Sequence, residues 1–318
     1  MLRSSLVNPW PKGWPRQINH PLDEPAPRFT YAFRQLYQRV TDMIRDTASP
    51  PTPHPHKPPW TGSEVRFFEY LISGFYQQYR NWNDPSGAIV AHLQYLHREA
   101  PIVAFELMAH AYLHMAYDLP CTIAEALIRF EKEPPGPSSF AAFRFRFLEL
   151  EPGFERTADD VASQSDVLGA ASFLNRIAPR RWKLSYVFAV WVLRIRSNAY
   201  LQAESIFDFR ADRTRLENAL LAKVIANQQE MVKNAYKPLL WFRLLGTPVL
   251  FPVFLAVSDH QTLVSALYAI TALVVLLLAY AIASYLLMVQ LADQLGATTH
   301  AAVRDAFAEL MSQLEPRG

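Results

Sequence analysis

Apolar residues recur at three- and four-residue spacing along most of this chain and almost nowhere alternate, so the pattern predicts helices. In residues 29–47, Phe33, Leu36, Tyr37, Val40, Met43 and Ile44 line one helical face. Residues 61–82 repeat the stripe with Val65, Phe68, Leu71, Ile72, Phe75 and Tyr79. They follow a Thr61–Glu64 capping box, in which hydroxyl and carboxylate each accept a backbone N–H of the first turn. A third helix is expected over 86–98, a fourth over 101–120, and a fifth begun by a Thr122–Glu125 cap. Residues 140–152 set Phe143, Phe145 and Phe147 against Arg144 and Arg146 as a strand would, but one strand without a partner is unstable, so helix is expected. Two long helices follow over 181–207 and 212–236. The second has Asp212 as N-cap, an Arg213–Glu217 pair, and Leu216, Leu220, Val224 and Met231 facing inward.

The pattern then changes. From Leu263 to Val289 the chain is apolar on every side and carries no formal charge, over a length beyond the ~20 residues that cross a hydrocarbon core. Residues 239–257 form a second apolar segment, interrupted by Arg243, Gly246, Pro248 and Pro252, and read as a kinked span or a re-entrant piece. Only 258–262 separate the two, which predicts a tight membrane hairpin. Lys233, Lys237 and Arg243 flank the first segment and Arg304 follows the second. By the positive-inside rule the N-terminal domain and the C-terminal tail then face the cytoplasm, making an integral membrane protein. The tail, 293–318, resumes an amphipathic pattern, with His300 expected on its solvated surface.

Proline marks the boundaries: the 24 prolines cluster at the N-terminus, in 49–59 and in 133–139, leaving the helical stretches nearly free of them. The organisation expected is a Pro-rich segment 1–28, an all-α helical domain 29–237, a membrane hairpin 238–292 with spans 239–257 and 263–289, and the tail. The N-terminal segment has no apolar run before its prolines and does not read as a secretory signal. No fixed-period repeat suggests a solenoid.

Composition narrows the partners. With 31 basic against 29 acidic residues there is no polycationic stripe, and no nucleic acid is expected as partner. Cys121 is the only cysteine, which excludes an internal disulfide and a thiolate-rich metal site. His54 and His56 sit among linker prolines and read as solvated. The 20 Phe, 14 Tyr and 7 Trp, together with the anchor, point to membrane lipid and to an apolar small molecule.

The candidate chemistry lies in residues 106–120, ELMAHAYLHMAYDLP, where Glu106, His110, His114 and Asp118 recur every fourth residue along one face of an otherwise apolar helix. One reading makes the strip structural, the helix's outlet to water, with Asp118 capping the next helix. The other opens the strip on a polar pocket. There His110, His114, Asp118 and Glu106 could ligate a divalent metal, or His110 and His114 could work as an acid–base pair with Asp118 orienting His114. His-x3-His is common and the zinc-protease helix motif is absent, which favours the structural reading. Further candidate ligands are His92, His97, Glu204 and Glu230; each residue type is more often solvent-facing. There is no paired Glu-x-x-His, no Gly-rich phosphate loop, no nucleophile elbow and no Cys-x-x-Cys.

Residues 114–120, HMAYDLP, preceded by 110–113, HAYL, resemble the His-Ile-Asn-x-Asp-Leu-Pro signature of the bacterial helical family catalogued as domain of unknown function 5995. Residues 33–41 and 67–79 resemble that family's first two aromatic-rich helices in order and spacing, and 196–203 its closing helix more loosely. The resemblance covers about residues 28 to 130. His114, Asp118, Leu119 and Pro120 fall on the signature, whereas Ala116 stands where the signature carries asparagine. The family has no assigned reaction, so the resemblance implies an all-α fold, singles out His114 and Asp118, and supplies no substrate. The expectation is a membrane-anchored helical protein that acts on or binds an apolar, lipid-like molecule; the competing expectation is a non-catalytic membrane adaptor that recruits a protein partner.

Overall fold

Phe33, Leu36, Tyr37, Val40 and Ile44 are all buried along α1 (Tyr31–Ala48), as their spacing predicts. The computed structural model describes residues 31–48, 58–81, 87–99, 103–132, 136–162, 171–230, 232–233 and 263–314, and every regular element among them is helical. After α1 come α2 (Gly62–Asn81), α3 (Ala88–Glu99), α4 (Val103–Leu113), α5 (Leu119–Lys132), α6 (Phe140–Glu149), α7 (Glu151–Ala162), α8 (Ala171–Ile177), α9 (Leu184–Asp208), α10 (213–230) and α11 (Leu263–Leu314). The Thr61 box begins α2: the Thr61 N–H donates to Glu64 at 2.5 Å, and the Glu64 N–H donates to Thr61 Oγ1 at 3.3 Å. The alternating phenylalanines belong to α6, where Phe143 stacks on Phe67 with centroids 4.3 Å apart.

The bundle is organised around α9, which packs on α5, α7 and α11. Its N-terminus is capped from a distance. Asn175 of α8 accepts the N–H of Leu184 at 2.8 Å and of Ser185 at 3.5 Å, satisfying donors the helix itself leaves open. Arg146 of α6 plays a similar part for the segment before α2. Its buried guanidinium donates to Glu64 at 2.9 Å, to Glu149 at 2.8 Å and to the carbonyls of Pro58 and Pro59. With every arm bonded, the cost of burying the charge is offset.

Two expectations are corrected. Neither Asp118 nor Thr122 starts a new helix, because α4 does not end: it passes through a π turn, His114–Asp118, directly into α5. Thr122 is buried inside α5 and donates to the Asp118 carbonyl at 2.7 Å, while Glu125 accepts from Tyr70 at 3.0 Å. His300 is not on a solvated surface; it lies half-buried between α9 and α11, accepting from the Asn198 amide at 2.8 Å.

The C-terminal helix has two halves of different character. Over its first half Leu267, Ile270, Val274, Leu278 and Ile282 are exposed. Over its second half Tyr285, Met288, Leu291, Ala292, Leu295 and Val303 are buried against the bundle. There the Trp191 indole donates to Asp293 at 2.7 Å, and the Gly296 backbone comes so close that a Cβ would overlap the indole ring. Residues 270–312 are long and apolar enough to cross a membrane, and 17% of the most apolar window is buried inside the protein, unlike a core helix. Residues 239–257, the other arm expected of the hairpin, lie outside the described residues, as do 1–28 and the His54–His56 linker.

Candidate functional site

The π turn spans His114–Asp118, and Pro120 gives the physical reason for it. Proline offers no N–H to the carbonyl four residues back, and its ring crowds that carbonyl, so an α-helix running into Pro120 would break or kink. Widening by one residue reroutes the ladder: the Leu119 N–H donates to the His114 carbonyl, five residues back, and the rod continues.

At the two ends of this turn His114 Nδ1 lies 3.2 Å from Asp118 Oδ2, with both residues buried. An Nδ1–H tautomer would donate to the carboxylate, the arrangement by which an acidic neighbour orients an imidazole. The imidazole packs edge-to-face against the Phe33–Tyr37 pair of α1, with centroids 5.6 and 5.4 Å away, so its orientation is fixed by packing as well as by Asp118.

His114 forms part of the wall of a cavity of about 50 Å³. The wall is otherwise almost wholly apolar. Phe33 and Tyr37 come from α1, Phe68 and Leu71 from α2, Met115 from the π turn, and further aromatic rings from α6, α7 and α9. The wall also includes Arg196 of α9. Its guanidinium carbon stands 3.6 Å from the Phe147 ring centroid and 4.7 Å from that of Phe154, and Nη2 donates to the Phe147 carbonyl. Aromatic faces and a carbonyl are what a buried cation needs when water is excluded. The apolar chamber thus includes an oriented imidazole and a stacked guanidinium, with Tyr37 and Thr157 as further residues that carry hydroxyls.

The remaining strip residues are buried but go elsewhere. Glu106 pairs with His97 at 3.1 Å, and burial raises its pKa despite that partner. His110 is completely buried and meets Phe33 edge-on; burial pushes its pKa down to about 3, with lesser repulsion from His92 and His97, so it is neutral at ordinary pH. His92 lies 2.7 Å from the Gln228 carbonyl oxygen, and the Gln228 amide donates to the Ala109 carbonyl at 3.0 Å, tying α3, α10 and α4 together. The strip is therefore no outlet to water. Glu204 lies 3.5 Å from Arg144, and Glu230 is exposed. Among the described residues no three His, Cys, Asp or Glu side chains come together in a way that would hold a metal ion. Cys121 is buried in α5, and burial holds its thiol well above the usual range, as for an inert core residue.

Of the predicted site residues, the structure brings His114 and Asp118 together and leaves His110 and Glu106 in separate contacts. Sequence reasoning missed Arg196 as a site residue, although the signal was present. Arg196 sits four residues from both Val192 and Tyr200, so helical periodicity alone puts an arginine on the buried face of α9. Searches of family models, of curated proteins and of solved structures each found no match to this chain.

Proposed function

We propose that this chain is a membrane-anchored helical protein that binds an apolar, lipid-like molecule in the cavity beside His114. The observation that carries the reading is the cavity itself: an aromatic chamber whose wall includes an imidazole oriented by Asp118. The same pair puts an imidazole held by a carboxylate beside the ligand, the residue types that acid–base work uses. The family resemblance singles out the same two residues. Anchoring comes from the first half of α11, completed as a hairpin by residues 239–257, with the bundle and the tail on the cytoplasmic side.

Size sets a limit on the ligand. A cavity of about 150 Å³ accommodates benzene, so the 50 Å³ here takes the end of a slender chain and excludes a preformed ring system. Met115, the most adaptable side chain in the wall, enlarges the space by changing rotamer.

The test is titration of the detergent-solubilised full chain with a conjugated polyene fatty acid, whose fluorescence rises in an apolar site, beside an Ala111→Leu variant. Ala111 lines the cavity and is itself buried, so the added side chain occupies the space. Saturable binding to the native chain that is lost in the variant, with helicity retained, supports the reading. Equal binding to both places the probe elsewhere, and no saturable binding to either leaves the adaptor as the better account.

A further inference from the structure

Where the exposed half of α11 gives way to the half packed on the bundle, a second group of exposed apolar side chains gathers. Phe173 and Ile177, four apart on α8, are 64% and 63% exposed, and Trp182, in the turn Arg180–Trp182 between α8 and α9, is 46% exposed. Arg176, Arg180 and Arg181 are interleaved with them, all exposed. The Arg181 guanidinium lies over the Trp182 ring at 5.6 Å and that of Arg180 over Tyr186 at 5.1 Å, so aromatic faces hold the cations at the surface. Lys183, next in the chain, pairs with Asp159 at 3.7 Å.

This patch is tied to α11 at one point. The Tyr285 hydroxyl lies 3.0 Å from Asn175 Oδ1 and 3.1 Å from the Trp182 carbonyl, and accepts the Leu184 N–H at 3.3 Å. Tyr285 is also the first residue of α11 whose side chain is buried in the bundle among those described. From Leu263 to that residue the helix rises roughly 33 Å at about 1.5 Å per residue, close to the ~30 Å of a hydrocarbon core. With that half across a bilayer, the hydrogen bonds of Tyr285 hold the patch at the depth where acyl chains meet headgroups. An aromatic and aliphatic wedge ringed by arginines is what binds there, the rings entering the boundary and the guanidinium groups pairing with lipid phosphate.

We infer that α8 and the Arg180–Trp182 turn form a docking surface for an anionic lipid bilayer, which seats the bundle flat against the membrane from which α11 emerges. The inference rests on the reading of α11 as a span. It deepens that reading by naming the face that meets the lipid and the charge of the lipid it meets. The arginine clusters also agree with the cytoplasmic side deduced for the bundle, since that leaflet carries the anionic lipid.

The experiment places a nitroxide at Ile177→Cys and, in a separate preparation, at Leu278→Cys, both in the full chain with Cys121→Ala. The protein is reconstituted into vesicles of phosphatidylcholine, or of equimolar phosphatidylcholine and phosphatidylglycerol. Depth is read from collision rates with oxygen and with a water-soluble nickel chelate. The expected result is a label at 278 deep in the bilayer in both lipids, and a label at 177 at headgroup depth in the anionic vesicles. The latter should return to water in the Arg176→Glu/Arg180→Glu/Arg181→Glu variant, each arginine near an anionic surface shifting the docked population roughly fivefold. A deep 278 with an aqueous 177 in both lipids overturns the docking surface and leaves the span standing. A 177 depth indifferent to lipid charge and to the triple variant overturns the anionic preference. An aqueous 278 removes the span and the inference with it.

Discussion

His114 and Asp118 face each other across a single π turn, Nδ1 to Oδ2 at 3.2 Å, with both residues buried in the bundle. Their separation in sequence is that of an ordinary helical pair. Their setting is different: the turn widens to accommodate Pro120, and the imidazole packs edge-on against two aromatic rings.

A buried polar pair of this kind is more sensitive to the loss of one member than of both. His114→Leu is expected to destabilise the fold by about 1–3 kcal/mol, because the Asp118 carboxylate stays buried without its ring partner. The double variant His114→Leu/Asp118→Leu should lose less than the sum of the two single variants. Chemical unfolding of the four proteins measures the coupling, and strict additivity would show that the two side chains act separately.

Acid should unfold the protein through His110. Its pKa is about 3 in the fold, from burial first and then from His92 and His97, against about 6.5 in the unfolded chain. Between these values the unfolded chain binds the extra proton. Stability present above pH ~6.5 is therefore lost as pH falls toward ~3, by up to ~1.4 kcal/mol per pH unit. His92, lowered by burial, acts in the same direction, while Glu106, raised by burial, opposes it, since its protonation favours the folded chain. Replacing His110 by leucine should flatten this limb, which denaturant midpoints at pH ~7 and ~5 would register.

Gly296→Ala is expected to loosen the second half of α11. The new Cβ would overlap the Trp191 indole, and the ring is also held by its bond to Asp293, so it has little freedom to yield. Overpacking of this kind costs roughly 1–3 kcal/mol. A shift in tryptophan emission together with a lower unfolding midpoint would report it, and an unchanged midpoint would mean that the helices separate at no cost.

Ala111→Leu, proposed above as a block to ligand, should also reveal what the open cavity costs. A void of 50 Å³ forfeits on the order of 1 kcal/mol of packing, so a leucine that fits it raises the unfolding midpoint while abolishing binding. A lower midpoint would mean that the walls cannot admit the side chain.

Much of the helical order is legible in the residues because it is local: the stripe on α1, the Thr61 box and the Arg213–Glu217 pair, at 2.6 Å, each rest on neighbours within one turn. The site is less so. Pro120 reads as a break, and only the backbone shows that a π turn absorbs it. The strip at 106–118 reads as one surface, yet the partners that fix each member, His97 for Glu106 and the rings of Phe33 and Tyr37 for the histidines, come from other helices. The cap of α9 is invisible in sequence for the same reason, since Asn175 belongs to a separate element. Periodicity reports which face turns inward, and long-range partners decide what each buried polar group does there.

The C-terminal helix runs from Leu263 to Leu314 without a proline, roughly 78 Å of continuous rod at about 1.5 Å per residue. It joins the apolar half to the bundle with no hinge between them, so the two can change angle only by bending the helix or unpacking it. A bilayer that thins or thickens changes the tilt of a helix that crosses it. In a chain built on this rod, such a tilt would be transmitted as a lever transmits it, turning the whole bundle with the membrane.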